Sequence, residues 1–143
     1  MLLPTTVKVM RLNKDAKLPT RTHRDDACYD LYCTRDCYIS PWAGSQVAVS
    51  LALELPKDWM ALLYTRSGHG FRGVRVHLGI IDSGYRGDIS PFVMNHTPNT
   101  IQFKKGDRVA QLFFMPVPKT RLKEVNFIND TPRGKKGQGS SGK

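Results

Sequence analysis

The chain has no apolar run approaching the roughly 18–20 residues that a membrane-crossing helix needs. Its start, Met1-Leu2-Leu3-Pro4-Thr5-Thr6, has no charged region leading into an apolar stretch, so no secretory signal and an intracellular protein are expected. There are only three cysteines, Cys28, Cys33 and Cys37, and they cannot form a disulfide framework without one left over. Their C-x4-C-x3-C spacing lacks the nearby histidine or fourth cysteine of a zinc site, so reduced thiols are the reading. No segment carries a 3.6-residue apolar stripe over three turns, which leaves little for a helical bundle.

What is present is period two. In Gln46–Leu53 the large apolar side chains recur at Val47, Val49, Leu51 and Leu53, one face of a strand. Shorter β-like runs lie at Val7–Leu12, Tyr29–Cys33, Met60–Tyr64, Val74–Ile81, Ile89–Met94 and Val109–Met115. Turn clusters such as Pro56-Lys57-Asp58, Asp82-Ser83-Gly84, Thr97-Pro98-Asn99 and Lys105-Gly106-Asp107 separate them. Many short strands at such spacing predict an all-β antiparallel sandwich or barrel. The length, 143 residues, suits one domain. We expect that domain over 1–130 and a tail over 131–143, where no apolar residue follows Pro132. Such a tail cannot bury enough surface to offset its ordering entropy, so it should be mobile until a ligand holds it.

The formal net charge is +10, and it is uneven: residues 104–143 hold ten lysines and arginines against Asp107, Glu124 and Asp130. That balance predicts an anionic partner, either a phosphorylated small molecule or nucleic acid.

Several segments could carry chemistry, and each also has a plain reading. Gly79–Asp88 reads as a β-hairpin with an Asp-Ser-Gly turn; Asp82 could be a base and Tyr85 a stacking ring, or Asp82 could simply cap its own turn. Thr65-Arg66-Ser67-Gly68-His69-Gly70 puts a guanidinium beside a hydroxyl and glycines, which suits phosphate oxygens, or it is a loop with a surface arginine and a solvated His69. Asp30 lies inside an apolar strand and needs a partner, either a basic side chain or a hydrated cation. Gln111 follows the Lys105–Arg108 turn on a strand, where its amide needs bonds or faces water. The tail offers backbone N–H groups, hydroxyls and cationic side chains from Arg133 onward, a phosphate cradle by composition.

Together and in this order, these five segments resemble the five motifs of the trimeric deoxyuridine triphosphatase (dUTPase) family, from about Leu18 to Lys143. Gly79–Gly87 and Gly106–Leu112 match the third and fourth motifs fully, the others in part. The resemblance implies a jelly-roll-like β-barrel with a flexible C-terminal tail, assembled as a homotrimer with shared active sites. It implies hydrolysis of dUTP to dUMP and pyrophosphate, with Mg2+ as cofactor. Asp82 would activate water and meet the sugar 3′-hydroxyl, and Asp30 would reach the metal through water. Arg66, Ser67, Gly68 and Gln111 would line the phosphate path, and the backbone from Gly79 to Ile81 would read uracil. Tyr85 would pack on the deoxyribose and exclude a 2′-hydroxyl. Arg133, Gln138, Gly139, Ser140 and Ser141 would close over the nucleotide.

Three positions depart from the family pattern. Gln138 replaces the tail aromatic that stacks on uracil, a loss of about 1–3 kcal/mol of stacking. Cys28 stands where glycine is usual, and His69-Gly70 replaces Leu-Ala. The alternative functions are a non-enzymatic or weakly active nucleotide-binding regulator of the same family, and the related dCTP deaminase. The deaminase needs a hairpin glutamate, but the chain's glutamates are Glu54 and Glu124. Binding to nucleic acid is expected to be weak, nonspecific and salt-sensitive.

Overall fold

The computed structural model describes residues 4–137, 139 and 141. The chain forms eleven strands and one five-residue helix among the described residues: β1 (Lys8–Arg11), β2 (Tyr29–Tyr32), β3 (Cys37–Ile39), β4 (Gly44–Gln46), β5 (Leu51–Glu54), β6 (Trp59–Tyr64), α1 (Ser67–Phe71), β7 (Val74–Val76), β8 (Gly79–Asp82), β9 (Phe92–Asn95), β10 (Ile101–Phe103) and β11 (Arg108–Pro116). All strand pairs are antiparallel. They make a four-stranded sheet ordered β2-β11-β6-β8, a three-stranded sheet β4-β9-β7, and two ribbons, β1-β5 and β3-β10. The result is the expected jelly-roll-like β-barrel.

The alternating run at Val47–Leu53 supplies the barrel's centre, with Val47, Val49 and Leu51 fully buried and Leu53 nearly so. It is not one strand, however. Ser50 has a φ of +54°, and the chain passes there from the β4 side of the barrel to the ribbon it shares with β1. Val74–Ile81 is likewise divided: β7 pairs with β9, whereas β8, after a break at His77-Leu78, pairs with β6. Alternation reported which side chains are inward but not which neighbour the backbone bonds.

The hairpin expected at Gly79–Asp88 is not formed. After Asp82 the chain turns through Ser83 and Gly84, but Ile89 bonds the Leu51 carbonyl instead of returning along β8. Hence β8 is the sheet's outer strand, with β6 on one side only. From Val117 to Gly137 there is neither strand nor helix, and Leu122, Phe127 and Ile128 are 97%, 81% and 84% exposed.

Candidate active site

Long β11 organises one constellation. A bulge between Arg108 and Ala110 puts Val109 and Ala110 both into the core and resets the strand so that Gln111 lies opposite Asp30 on β2 and Tyr64 on β6. Gln111 does not face water: its Nε2 donates to the Thr65 carbonyl at 3.0 Å. That bond ties the end of β6 to β11 where the chain enters α1. At this entry Arg66 Nε donates to Asp30 Oδ1 at 2.8 Å, with the two side chains 29% and 14% exposed. Arg108 Nη1 approaches the second oxygen, Oδ2, at 3.4 Å. The partner of Asp30 is therefore a pair of guanidinium groups.

His69, one turn into α1, is half-buried, not solvated. Its Nε2 bonds the Arg108 carbonyl at 2.8 Å, and its ring meets Phe103 edge-on at 5.4 Å. Ser67 and Gly68 are exposed at the start of α1, and a side chain on Gly68 would meet nothing within 4 Å. The floor of this constellation is thus fixed by bonds, while its rim is open. Nearby, the Cys28 thiol is pushed up, first by burial and then by the carboxylates of Asp30 and Asp26, against a smaller pull from Arg21.

A second constellation lies around β8. A cleft of about 310 Å3 is lined by Gly79, Ile80, Ile81, Asp82, Tyr85, Asp88 and neighbouring Gln46, Leu63, Ile89 and Ser90. Ile81 sends its side chain into the core, so only its backbone faces this cleft. Because β8 is an outer strand, alternate N–H and C=O groups of Gly79–Asp82 point away from β6 without a strand partner. Asp82 is exposed, and its carboxylate makes no hydrogen bond or ion pair among the described residues. Its carbonyl accepts the Tyr85 N–H at 3.0 Å.

One chain does not bring these two constellations together. Asp82 lies opposite Met60, while Gln111 and Asp30 lie at the level of Tyr64, a separation along β6 of about 13 Å at ~3.3 Å per residue. The described residues of the tail join neither: Arg133 bonds the carbonyls of Lys136 and Gly137, and Gly139 and Ser141 are exposed. Gln138 and Ser140 lie outside the described residues. Sequence reasoning missed Arg108, read there as a turn residue, and the anchoring role of His69. The usable signal was the half-buried acid itself, which demanded a charge partner.

The donor set fits a hydrated Mg2+ carried largely by substrate phosphates. Among the described residues no group of three or more His, Cys, Asp or Glu could cage a metal. Mg2+ commonly binds through one or two carboxylates, phosphates and retained waters, and a carboxylate with about four acceptor positions has room beside two arginines.

A family model described as dUTPase matches residues 14–142. The deoxyuridine 5′-triphosphate nucleotidohydrolase of Clostridium tetani is 38% identical over 141 residues, 96% of this chain and 97% of that protein. A mutant of the Staphylococcus bacteriophage 80alpha dUTPase, solved with dUpNHpp, superposes with a TM-score of 0.88 at 28% identity, covering 96% of this chain and 98% of that one. A mutant dUTPase from phage phi11 of S. aureus, whose structure concerns coordination of a structural Mg(II) ion, gives a TM-score of 0.79 at 25% identity over 85% and 97% of the two chains.

Proposed function

The chain belongs to the dUTPase family, and we infer from this premise how its residues carry the family's reaction. It is a dUTP diphosphatase: water and dUTP give dUMP and pyrophosphate, which keeps uracil out of DNA, and Mg2+ is its cofactor. The observation that carries the residue assignment is an unpaired carboxylate, Asp82, beside an outer strand whose backbone groups are free to read a planar base.

Asp82 takes a proton from the water that attacks the α-phosphorus and bonds the sugar 3′-hydroxyl. The backbone of Gly79 to Ile81 pairs with the uracil edge, and a base of the wrong pattern leaves those groups unmatched, a strong discriminator. Tyr85 packs on the deoxyribose. Arg66, Ser67, Gly68 and Gln111 line the phosphate path, where charge must be neutralised before a polyanion can be attacked. Asp30 would hold a bound magnesium through water, and the ion would supply further neutralisation of the phosphate charge. Domain 1–130 holds these groups. The tail 131–143, with Arg133, Gln138, Gly139, Ser140 and Ser141, closes over the nucleotide.

The assembly is a homotrimer in which Asp82 and Tyr85 come from one chain and Asp30, Arg66 and Gln111 from another. Three features support this: the separation along β6, the exposed Leu122, Phe127 and Ile128, and an apolar groove of about 890 Å3 lined by Val7, Val9, Leu18, Tyr29, Trp59 and Phe114. An assembly would cover such surfaces. Residence inside the cell follows from a nucleotide substrate and suits three free cysteines. Nucleic acid binds at most weakly, through charge alone.

Pyrophosphate release from dUTP with Mg2+ tests the reading. Asp82→Asn should lower turnover by at least ~100-fold, the lower range for losing a general base. A variant matching the wild type would remove Asp82 from the chemistry.

A further inference from the structure

Tyr85 is the one aromatic residue lining the cleft among the described residues, and although it is 46% exposed its position is set by close neighbours. Its hydroxyl donates to the Asp88 carbonyl at 3.0 Å, which folds the ring back over its own loop. Arg86 Nη1 pins that loop, donating to the carbonyls of Ser83 at 2.7 Å and Tyr85 at 3.0 Å. Asp88 Oδ1 fixes the exit by accepting from Ser90 N at 2.9 Å and Ser90 Oγ at 2.7 Å. Beneath the ring lies Gly87. A Cβ there would overlap the Tyr85 hydroxyl and stand 2.6 Å from Cζ and 3.0 Å from Cε2.

Gly87 is not among the glycines with positive φ, which are Gly73, Gly106, Gly134 and Gly139 among the described residues. No left-handed φ calls for glycine there, so what singles the position out is space. The overlapping atoms belong to the far end of a side chain, so alanine would push the ring aside and leave the backbone in place. We propose that Gly87 is a positioning residue for sugar selection: its missing side chain is the seat that holds the Tyr85 ring at the height where a 2′-hydroxyl cannot enter. This rests on the reading that Tyr85 packs on the deoxyribose.

The test compares kcat/KM for dUTP and for UTP in the wild type, Gly87→Ala, Tyr85→Ala, the double variant and Gly84→Ala, with thermal unfolding of each. Gly84 shares the loop but has open space around it, so Gly84→Ala should retain the wild-type preference. Gly87→Ala should lower the preference for dUTP about tenfold or more, on the scale of an ångström-level misplacement. Its midpoint should move no more than those of ordinary surface variants. In the double variant the preference should equal that of Tyr85→Ala alone, because Gly87 acts only through the ring. An unchanged preference in Gly87→Ala beside a lost one in Tyr85→Ala overturns the Gly87 assignment alone. An unchanged preference in Tyr85→Ala removes the sugar reading and this proposal with it. Failure of Gly87→Ala to fold that Tyr85→Ala does not repair overturns the steric argument.

Discussion

The two constellations are built in opposite ways. Around Asp30 every charged group is already engaged within the chain: Arg66 and Arg108 hold the carboxylate, Gln111 holds Thr65, and His69 holds the Arg108 carbonyl. Around Asp82 the carboxylate and the strand edge have no partner among the described residues. On the proposed function, the first arrangement keeps cationic groups in place for a polyanion without reorganisation when it arrives. The second leaves polar groups unpaired among the described residues, which the proposed function assigns to the ligand. Engaged and unengaged polar groups thus sit on different strands of the same sheet.

The sharpest way to break this contrast is to mix chains. Asp82→Asn and Arg66→Ala proteins should each be nearly inactive, but unfolded and refolded together in equal amounts they should recover about a quarter of wild-type turnover if sites draw on two chains at random. No recovery would place both constellations of a site on one chain. A smaller effect separates the two by stability. Arg66→Ala leaves the largely buried Asp30 carboxylate with only the longer Arg108 contact and should lower unfolding free energy by about 1–2 kcal/mol, less than for a fully buried pair because Arg108 and solvent both compensate. Asp82→Asn should stay within about 0.5 kcal/mol of wild type in the same urea titration.

The smallest effect concerns an ion pair with neither burial nor a site. Lys8 Nζ donates to Glu54 Oε1 at 2.9 Å across the β1-β5 ribbon, and this bond holds the Glu54 carboxyl below its ordinary range. Its contribution is therefore complete above the ordinary glutamate pKa and disappears as acid carries the pH down through the depressed value. The difference in unfolding midpoint between wild type and Lys8→Ala should be slight at neutral pH, vanish in acid, and shrink in high salt. A difference that grew on acidification would reverse the sign of this linkage.

The sequence made the barrel legible because burial alternates along each strand, as at Val47, Val49, Leu51 and Leu53. It did not reveal the crossing at Ser50, since a change of sheet alters the backbone's partners while leaving the inward face unchanged. The helix α1 was invisible for another reason. Ser67-Gly68-His69-Gly70-Phe71 contains two poor helix formers, and its single turn is held by Arg66, His69 and neighbouring β7, not by propensity. Asp30 announced a need for a partner, but which arginines answer it depends on the bulge in β11, a register detail no local pattern records. The Gly79–Asp88 segment reads as a hairpin, and the turn after Asp82 is there, but the return strand is not, because turn chemistry does not say where the following chain goes.

An open strand margin is ordinarily a hazard, since any stray extended peptide can dock on it and seed aggregation. Here β8 spans only Gly79–Asp82, four residues. That length gives an intruding polypeptide too few bonds to persist, while the proposed function asks it to meet only the few polar atoms along one side of a pyrimidine. On that proposal, the brevity of this element reconciles recognition of a small heterocycle with colloidal safety.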